Sequence, residues 1–196
     1  MELRIMAGIT IRDLTGDFSF GAVVDGVTWD NIHDEELRQR LNDVFEERGV
    51  IVFENMEPSS KMHLEISRVF GPIKDHPTKT VPRAAEEEDV GVIDLYRTPD
   101  ETNDEFHGVP SVNGEPRQSW LPWHFDHTYN DELNRAGVLR AVIIPPEKGR
   151  TGFADGIQIY ADFDPELRAR AEELTAIYVA IARLIPCPPS AYWANR

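Results

Sequence analysis

Cysteine is nearly absent: Cys187 stands alone among 196 residues. One thiol excludes an internal disulfide framework and a cage of thiolates around a metal, so a bound metal must rely on histidine and carboxylate. Histidine is scarce too, six in all, and none follows His127. No apolar run approaches the roughly 20 residues needed to cross a bilayer, and the opening MELRIMAGIT lacks the long apolar stretch of a secretion signal. Positive charge is also in deficit, with 20 Lys and Arg against 35 Asp and Glu and a formal net charge of -15. No basic cluster reverses that field locally, so it repels phosphate backbones and anionic lipid surfaces. Nucleic acid and membranes are thereby set aside as partners, and a cytoplasmic location is expected.

What is present fits one ordinary globular domain: 41% hydrophobic and 28% charged residues, in a chain long enough to bury a core. The segment ITIRDLTGDFSFGAVVDGVTW alternates short β-branched runs with Gly and Asp, which predicts brief strands joined by tight turns. From Asp34 to Glu47, Leu37, Leu41, Val44 and Phe45 share one helical face, and Gly49 stands where a helix stops. The run VIVF, Val50 to Phe53, predicts a buried strand. A second helix is predicted from about Ser60 to Phe70, closed by Gly71-Pro72. Further strands are expected at VGVIDLY (Val90 to Tyr96) and GVLRAVIIP (Gly137 to Pro145), separated by a polar loop from Arg97 to Ser119. Asp164-Pro165-Glu166 combines a capping acceptor, a first-turn proline and an acid near the helix dipole, which predicts a helix to about Leu174. The run Glu86-Glu87-Glu88-Asp89 is read as a solvated turn.

The chemistry concentrates in SWLPWHFDHTY. His124 and Asp126 are two apart in a stretch that reads as extended, and residues i and i+2 of a strand project from one face, so an imidazole and a carboxylate can reach a single ion. The same spacing at His33-x-Glu35 and His63-x-Glu65 falls at or within predicted helices, where i and i+2 diverge. His127 would project from the opposite strand face to His124 and is not assigned as a ligand. Composition alone yields about half a His-x-Asp pair by chance, so the pair needs its context to carry weight.

That context resembles the taurine dioxygenase (TauD/TfdA) family of iron(II)- and 2-oxoglutarate-dependent oxygenases. The likeness begins in the β entry and continues through GVIVFEN, the helix ending VFGPIKDHP, the strand VGVIDLY and the motif LPWHFDHTY. It then takes in LRAVIIPPEKGRTGFADG and the following helix to about Tyr178. The resemblance implies that His124 and Asp126 are two members of a facial triad of two histidines and one carboxylate holding iron(II). It also implies that Thr151, 25 positions after Asp126, contacts 2-oxoglutarate, although Arg150 replaces the acid the family carries before that threonine. His76, in the F-G-x-x-x-x-H-P segment, would contact an anionic group of the substrate, and Trp120 would face the substrate.

The implied fold is α+β: a double-stranded β-helix, or cupin-like jelly roll, with flanking helices, in a single domain over residues 1–196 that lacks the distal C-terminal part. No histidine follows His127, and Arg183 and Arg196 have no distal histidine ahead of them. The family's third iron ligand and its 2-oxoglutarate-clamping arginine therefore have no counterpart here. Two of three ligands should hold iron loosely, and absent final strands would leave open sheet edges. The implied reaction is hydroxylation of a small, anionic organic substrate with O2 and 2-oxoglutarate as co-substrates; a homo-oligomer is compatible with it. Two alternatives remain: a truncated or degenerate relative acting as a binding module, and a cupin-like isomerase using His124, Asp126 and His127 or His107.

Overall fold

A computed structural model describes residues 8–14, 18, 20–74, 92–93, 123–128, 130–144, 146 and 150–177, with the backbone alone of 111–112 and 115–116. The chain falls into two units, residues 1–93 with 135–175 and residues 94–134 with 176–196, each taken by itself below.

In the first unit, strands β1 (Thr10–Asp13) and β2 (Ala22–Asp25) pair antiparallel. Helix α1 (Glu35–Arg48) then carries the chain across to β3 (Ile51–Glu54), which pairs parallel with β2. A parallel neighbour requires such a crossover, because no tight turn can reverse the chain twice. The expected β entry, first helix and strand at Val50 to Phe53 are all found, but the strand is a half-buried edge strand with Val52 exposed, not the buried one expected. Side-chain chemistry sets the ends of α1: Asp34 accepts from the backbone N–H groups of Glu36 and Leu37, at 2.8 and 3.2 Å. At the other end Gly49 sits at φ 69°, in the left-handed conformation, and its N–H closes on the Phe45 carbonyl at 2.8 Å.

Helix α2 (Ser60–Val69) is capped by Ser59, whose hydroxyl accepts from the Met62 N–H, and ends at Phe70 just before Gly71-Pro72. Ile9, Ile11, Ala22, Val24, Val27, Ile32, Leu37, Leu41, Val44, Ile66, Val69 and Phe70 form one buried cluster. The sheet thus buries a face against α1 and α2. Charged side chains tie its elements together: Arg12 of β1 grips both oxygens of Glu54 of β3 at 2.8 and 2.9 Å, and Arg48 meets Asp13.

The strand expected at Gly137 to Pro145 is not formed. Residues 136–141 have no regular structure and Val142 and Ile143 form a bend. Side chains satisfy the start of this segment in place of a ladder. Arg135 donates to Asn42 Oδ1 (2.7 Å), the Phe70 carbonyl (2.8 Å) and Glu46 (2.5 Å); His63 Nε2 meets the Val138 carbonyl at 2.9 Å; Arg140 donates to the Pro58 carbonyl at 2.7 Å. Ala136 and Val138 pack on the core, so the segment lies across the helices as a strap. A strand exists only through a partner strand, and none of the described residues supplies one beyond Arg140. Val142, Ile143 and Ile144 are consequently 71%, 88% and 77% exposed.

Two helices end this unit. Helix α3 (Gly156–Ala161), capped by Asp155, was not anticipated from the sequence; α4 (Pro165–Glu173), capped by Asp164, matches the expectation. Arg168 joins them by donating to the Tyr160 and Ala161 carbonyls and lying over the Tyr160 ring. The hydrogen bond from Tyr160 to Glu172 raises the pKa of the phenol above its ordinary value.

In the second unit, β4 (Ser111–Val112) and β5 (Glu115–Pro116) pair as a minimal hairpin within the expected polar loop. Of the strand expected at Val90 to Tyr96, only Val92 and Ile93 are described, with a single bridge at Ile93; the rest lies outside the described residues. The described architecture is α+β, but its strands form a three-stranded and a two-stranded sheet rather than a complete jelly roll. Among the described residues no helix is long and apolar enough to cross a membrane.

Gly26 and Gly49 both hold positive φ, but a β-carbon at Gly26 would run into the Gly8 carbonyl oxygen, whereas at Gly49 it meets open space. Gly49→Ala should therefore cost about 1 kcal/mol, the left-handed penalty alone, and Gly26→Ala clearly more than about 2 kcal/mol. Urea unfolding of the two variants beside the parent protein measures the difference.

Candidate metal centre

Trp123 to Phe125 run without regular structure, and Asp126 to Thr128 form a turn. This corrects the extended reading of the motif: strand alternation does not bring His124 and Asp126 together. The chain reverses at His127, which adopts φ 61°. A left-handed residue immediately after Asp126 folds the backbone back, and His is among the side chains that tolerate that region better than most. Asn130 fastens the turn: its N–H donates to the His127 carbonyl at 3.1 Å, and its amide Nδ2 donates to His127 Nδ1 at 2.9 Å.

At the entry of that turn His124 Nε2 lies 3.2 Å from Asp126 Oδ1. The two groups thus form a direct ion pair, and two donors bound at right angles to one ion with bonds of about 2.1 Å would stand about 3.0 Å apart, close to the same separation. An imidazole nitrogen and a carboxylate oxygen also form a donor set suited to iron(II). Both side chains are open to solvent, 55% and 80% exposed. An ion pair this exposed adds at most about 1 kcal/mol to stability, so stability is a weak reason for the arrangement.

The competing His-x-Glu pairs behave as helical geometry requires. His33 Nδ1 faces Glu65 at 3.9 Å rather than Glu35, and His63 is turned to the Val138 carbonyl while Glu65 engages Arg68. Among the described residues no group of three His, Cys, Asp or Glu side chains could enclose a metal.

Of the other expected site residues, Thr151 belongs to the first unit, exposed on the irregular stretch leading into α3, with Arg150 exposed before it. His76, Trp120 and His107 lie outside the described residues. An open hollow lined by Phe163, Pro165, Arg168, Ala169 and Glu172 contains none of these residues. Asn130 was not singled out from sequence; its signal is the three-residue spacing from a histidine in a polar turn. His127 was placed on an opposite strand face, and without a strand that placement does not apply.

Residues 10–184 match the family model described as taurine catabolism dioxygenase TauD, TfdA family. The chain belongs to the TauD/TfdA family. Among its relatives, the (S)-phenoxypropionate/alpha-ketoglutarate-dioxygenase of Sphingobium herbicidovorans is 28% identical over 166 residues, covering 82% of this chain and 50% of the relative. Pentalenolactone F synthase of Streptomyces avermitilis is 28% identical, covering 81% and 49%. The alkylsulfatase of Acinetobacter baylyi is 27% identical, covering 87% and 47%. This TauD/TfdA chain thus spans about half the length of the curated relatives it matches.

If the two donors act together, Asp126→Ala should lower iron(II) affinity at least about 100-fold, more than the loss of a group that only orients a ligand. His63→Ala, at a histidine committed to Val138, should leave it within about a factor of two. Anaerobic equilibrium dialysis compares them directly.

Proposed function

We propose that this chain forms the iron-binding part of a 2-oxoglutarate-dependent dioxygenase that hydroxylates a small anionic organic substrate. The observation that carries the reading is the approach of His124 Nε2 to Asp126 Oδ1, 3.2 Å, inside the family match over residues 10–184. In this reading the two units belong to one TauD/TfdA domain on a jelly-roll scaffold, since the matched residues run through both. The protein works in the cytoplasm, with O2 and a small molecule as partners rather than nucleic acid or membrane.

Iron(II) with 2-oxoglutarate supplies the oxidising power, coupled to decarboxylation of the co-substrate to succinate. The protein's own groups have simpler tasks. His124 offers the lone pair of Nε2 and must be neutral to do so, while the Asp126 carboxylate contributes negative charge that balances the cation. The Thr151 hydroxyl donates to a 2-oxoglutarate carboxylate. His76 orients the substrate's anionic group, and Trp120 supplies an apolar wall beside it.

An anionic substrate has support from the relatives' names, which specify phenoxypropionate and 2,4-dichlorophenoxyacetate. A net charge of -15 opposes anions at long range, so a local donor such as His76 is needed to bring one in. Hydroxylation beside a heteroatom would give an unstable product that expels a phenol or sulfite.

A second reading is favoured by the lack of a three-ligand cluster among the described residues: a family member without catalysis that serves as a binding module. Anaerobic addition of iron(II) and 2-oxoglutarate separates the two. The dioxygenase reading expects a weak visible charge-transfer band, lost in His124→Ala, and about tenfold weaker 2-oxoglutarate binding in Thr151→Val, as expected for one lost hydrogen bond to a charged group. No band at saturating concentrations leaves the binding module as the better account.

A further inference from the structure

We propose that two copies of this chain pair antiparallel along residues 140–144, forming a weak two-fold dimer; the inference is independent of the metal reading. Leu139, Val142, Ile143 and Ile144 are each more than two-thirds exposed, four aliphatic side chains within six residues. Soluble monomers rarely show water a contiguous apolar surface of that kind without using it. Among the described residues, no hydrogen bond engages the backbone of residues 141–144. The bend at Val142 and Ile143 is therefore held by no ladder or turn bond, and extending it costs conformational entropy alone.

The segment leaves helix α2 from a fixed point. His63 Nε2 meets the Val138 carbonyl at 2.9 Å, and Arg140 donates to the Pro58 carbonyl at 2.7 Å and to the Ser60 hydroxyl at 3.2 Å. An edge anchored in this way forfeits less entropy on association than a free one. Pro145 and Pro146 carry no N–H, which ends a ladder there. A second copy is the occupant because the segment complements itself. With a two-fold axis at Val142, that residue faces its own mate, Ala141 faces Ile143 of the other copy, and Ile144 faces the aliphatic stem of Arg140. Small thus meets large, and each guanidinium stays on its own Pro58 carbonyl. Charge agrees with that choice. The chain carries a net charge of -15, yet residues 133–146 contain no acid and are charged only at Arg135 and Arg140. Copies approaching along this segment keep their carboxylates out of the contact. The four aliphatic side chains offer about 500 Å² per copy, or about 1,000 Å² in all, the low end for a specific contact and the size of a readily dissociating dimer.

The test is sedimentation velocity of the full chain. The mass should rise from 22.3 kDa toward twice that between about 5 and about 500 micromolar, and added salt should tighten the association by screening the like net charges. Val142→Lys, which sets two ammonium groups face to face at the axis, should weaken the dimer at least about 30-fold. Ile157→Lys, at a comparably open site on α3, should leave it within about twofold. In a Cys187→Ser background, Val142→Cys should oxidise to a covalent dimer and Leu174→Cys should not. Should Val142→Lys unfold, that cross-link decides. A monomer at every concentration overturns the proposal, as does a dimer that Val142→Lys leaves intact, or equal cross-linking at the two cysteine sites. Slow hydrogen exchange at residues 142–144 in the dilute monomer overturns it as well, since the segment would then be covered by its own chain.

Discussion

Strand β2 has a neighbour on each side and no exposed residue, and the rest of the first unit is arranged around that fact. Its antiparallel partner, β1, directly precedes it in sequence. Its parallel partner can arrive only after a crossover, which obliges α1 to span the intervening distance and dock its Leu37, Leu41 and Val44 face on the sheet. Ile66, Val69 and Phe70 of the second helical segment then complete the same cluster. Asn42 links that cluster to the surface, donating to the Arg38 and Val69 carbonyls at 2.9 Å while its oxygen receives Arg135. One polar side chain at the core's edge therefore couples both helices to the strap.

The candidate centre is organised on a different principle. The first unit relies on burial, whereas the exposed His124–Asp126 pair stands at the entry of a turn that left-handed His127 and the Asn130 amide close. Loops that carry chemistry commonly depend on such local bonding, because buried packing would close the site to its ligands.

How much was legible in the sequence follows from the range of each interaction. Helices α1, α2 and α4 were readable because their signals are local: the apolar face of α1, Asp34 and Asp164 at the starts, Gly49 and Gly71 at the ends. Helix α3 was missed because six residues give too little periodicity to separate it from a loop. The run Gly137 to Pro145 carries a strand's composition, but pairing depends on a partner that composition does not name, and Arg135, His63 and Arg140 take up its first half instead. His124 and Asp126 were legible as a pair because two-residue spacing limits their separation. The turn that follows them was not, since a positive φ at a non-glycine residue leaves almost no trace in sequence. Thr151, His76 and Trp120 came from family likeness alone.

The strap has a consequence for how the molecule behaves in company. Past Arg140, Val142, Ile143 and Ile144 stand in water with no ladder partner among the described residues. Three adjacent aliphatic side chains with strong β-preference form a ready template for a stray strand. Crowded or salted-out solutions will therefore favour adhesion at this segment.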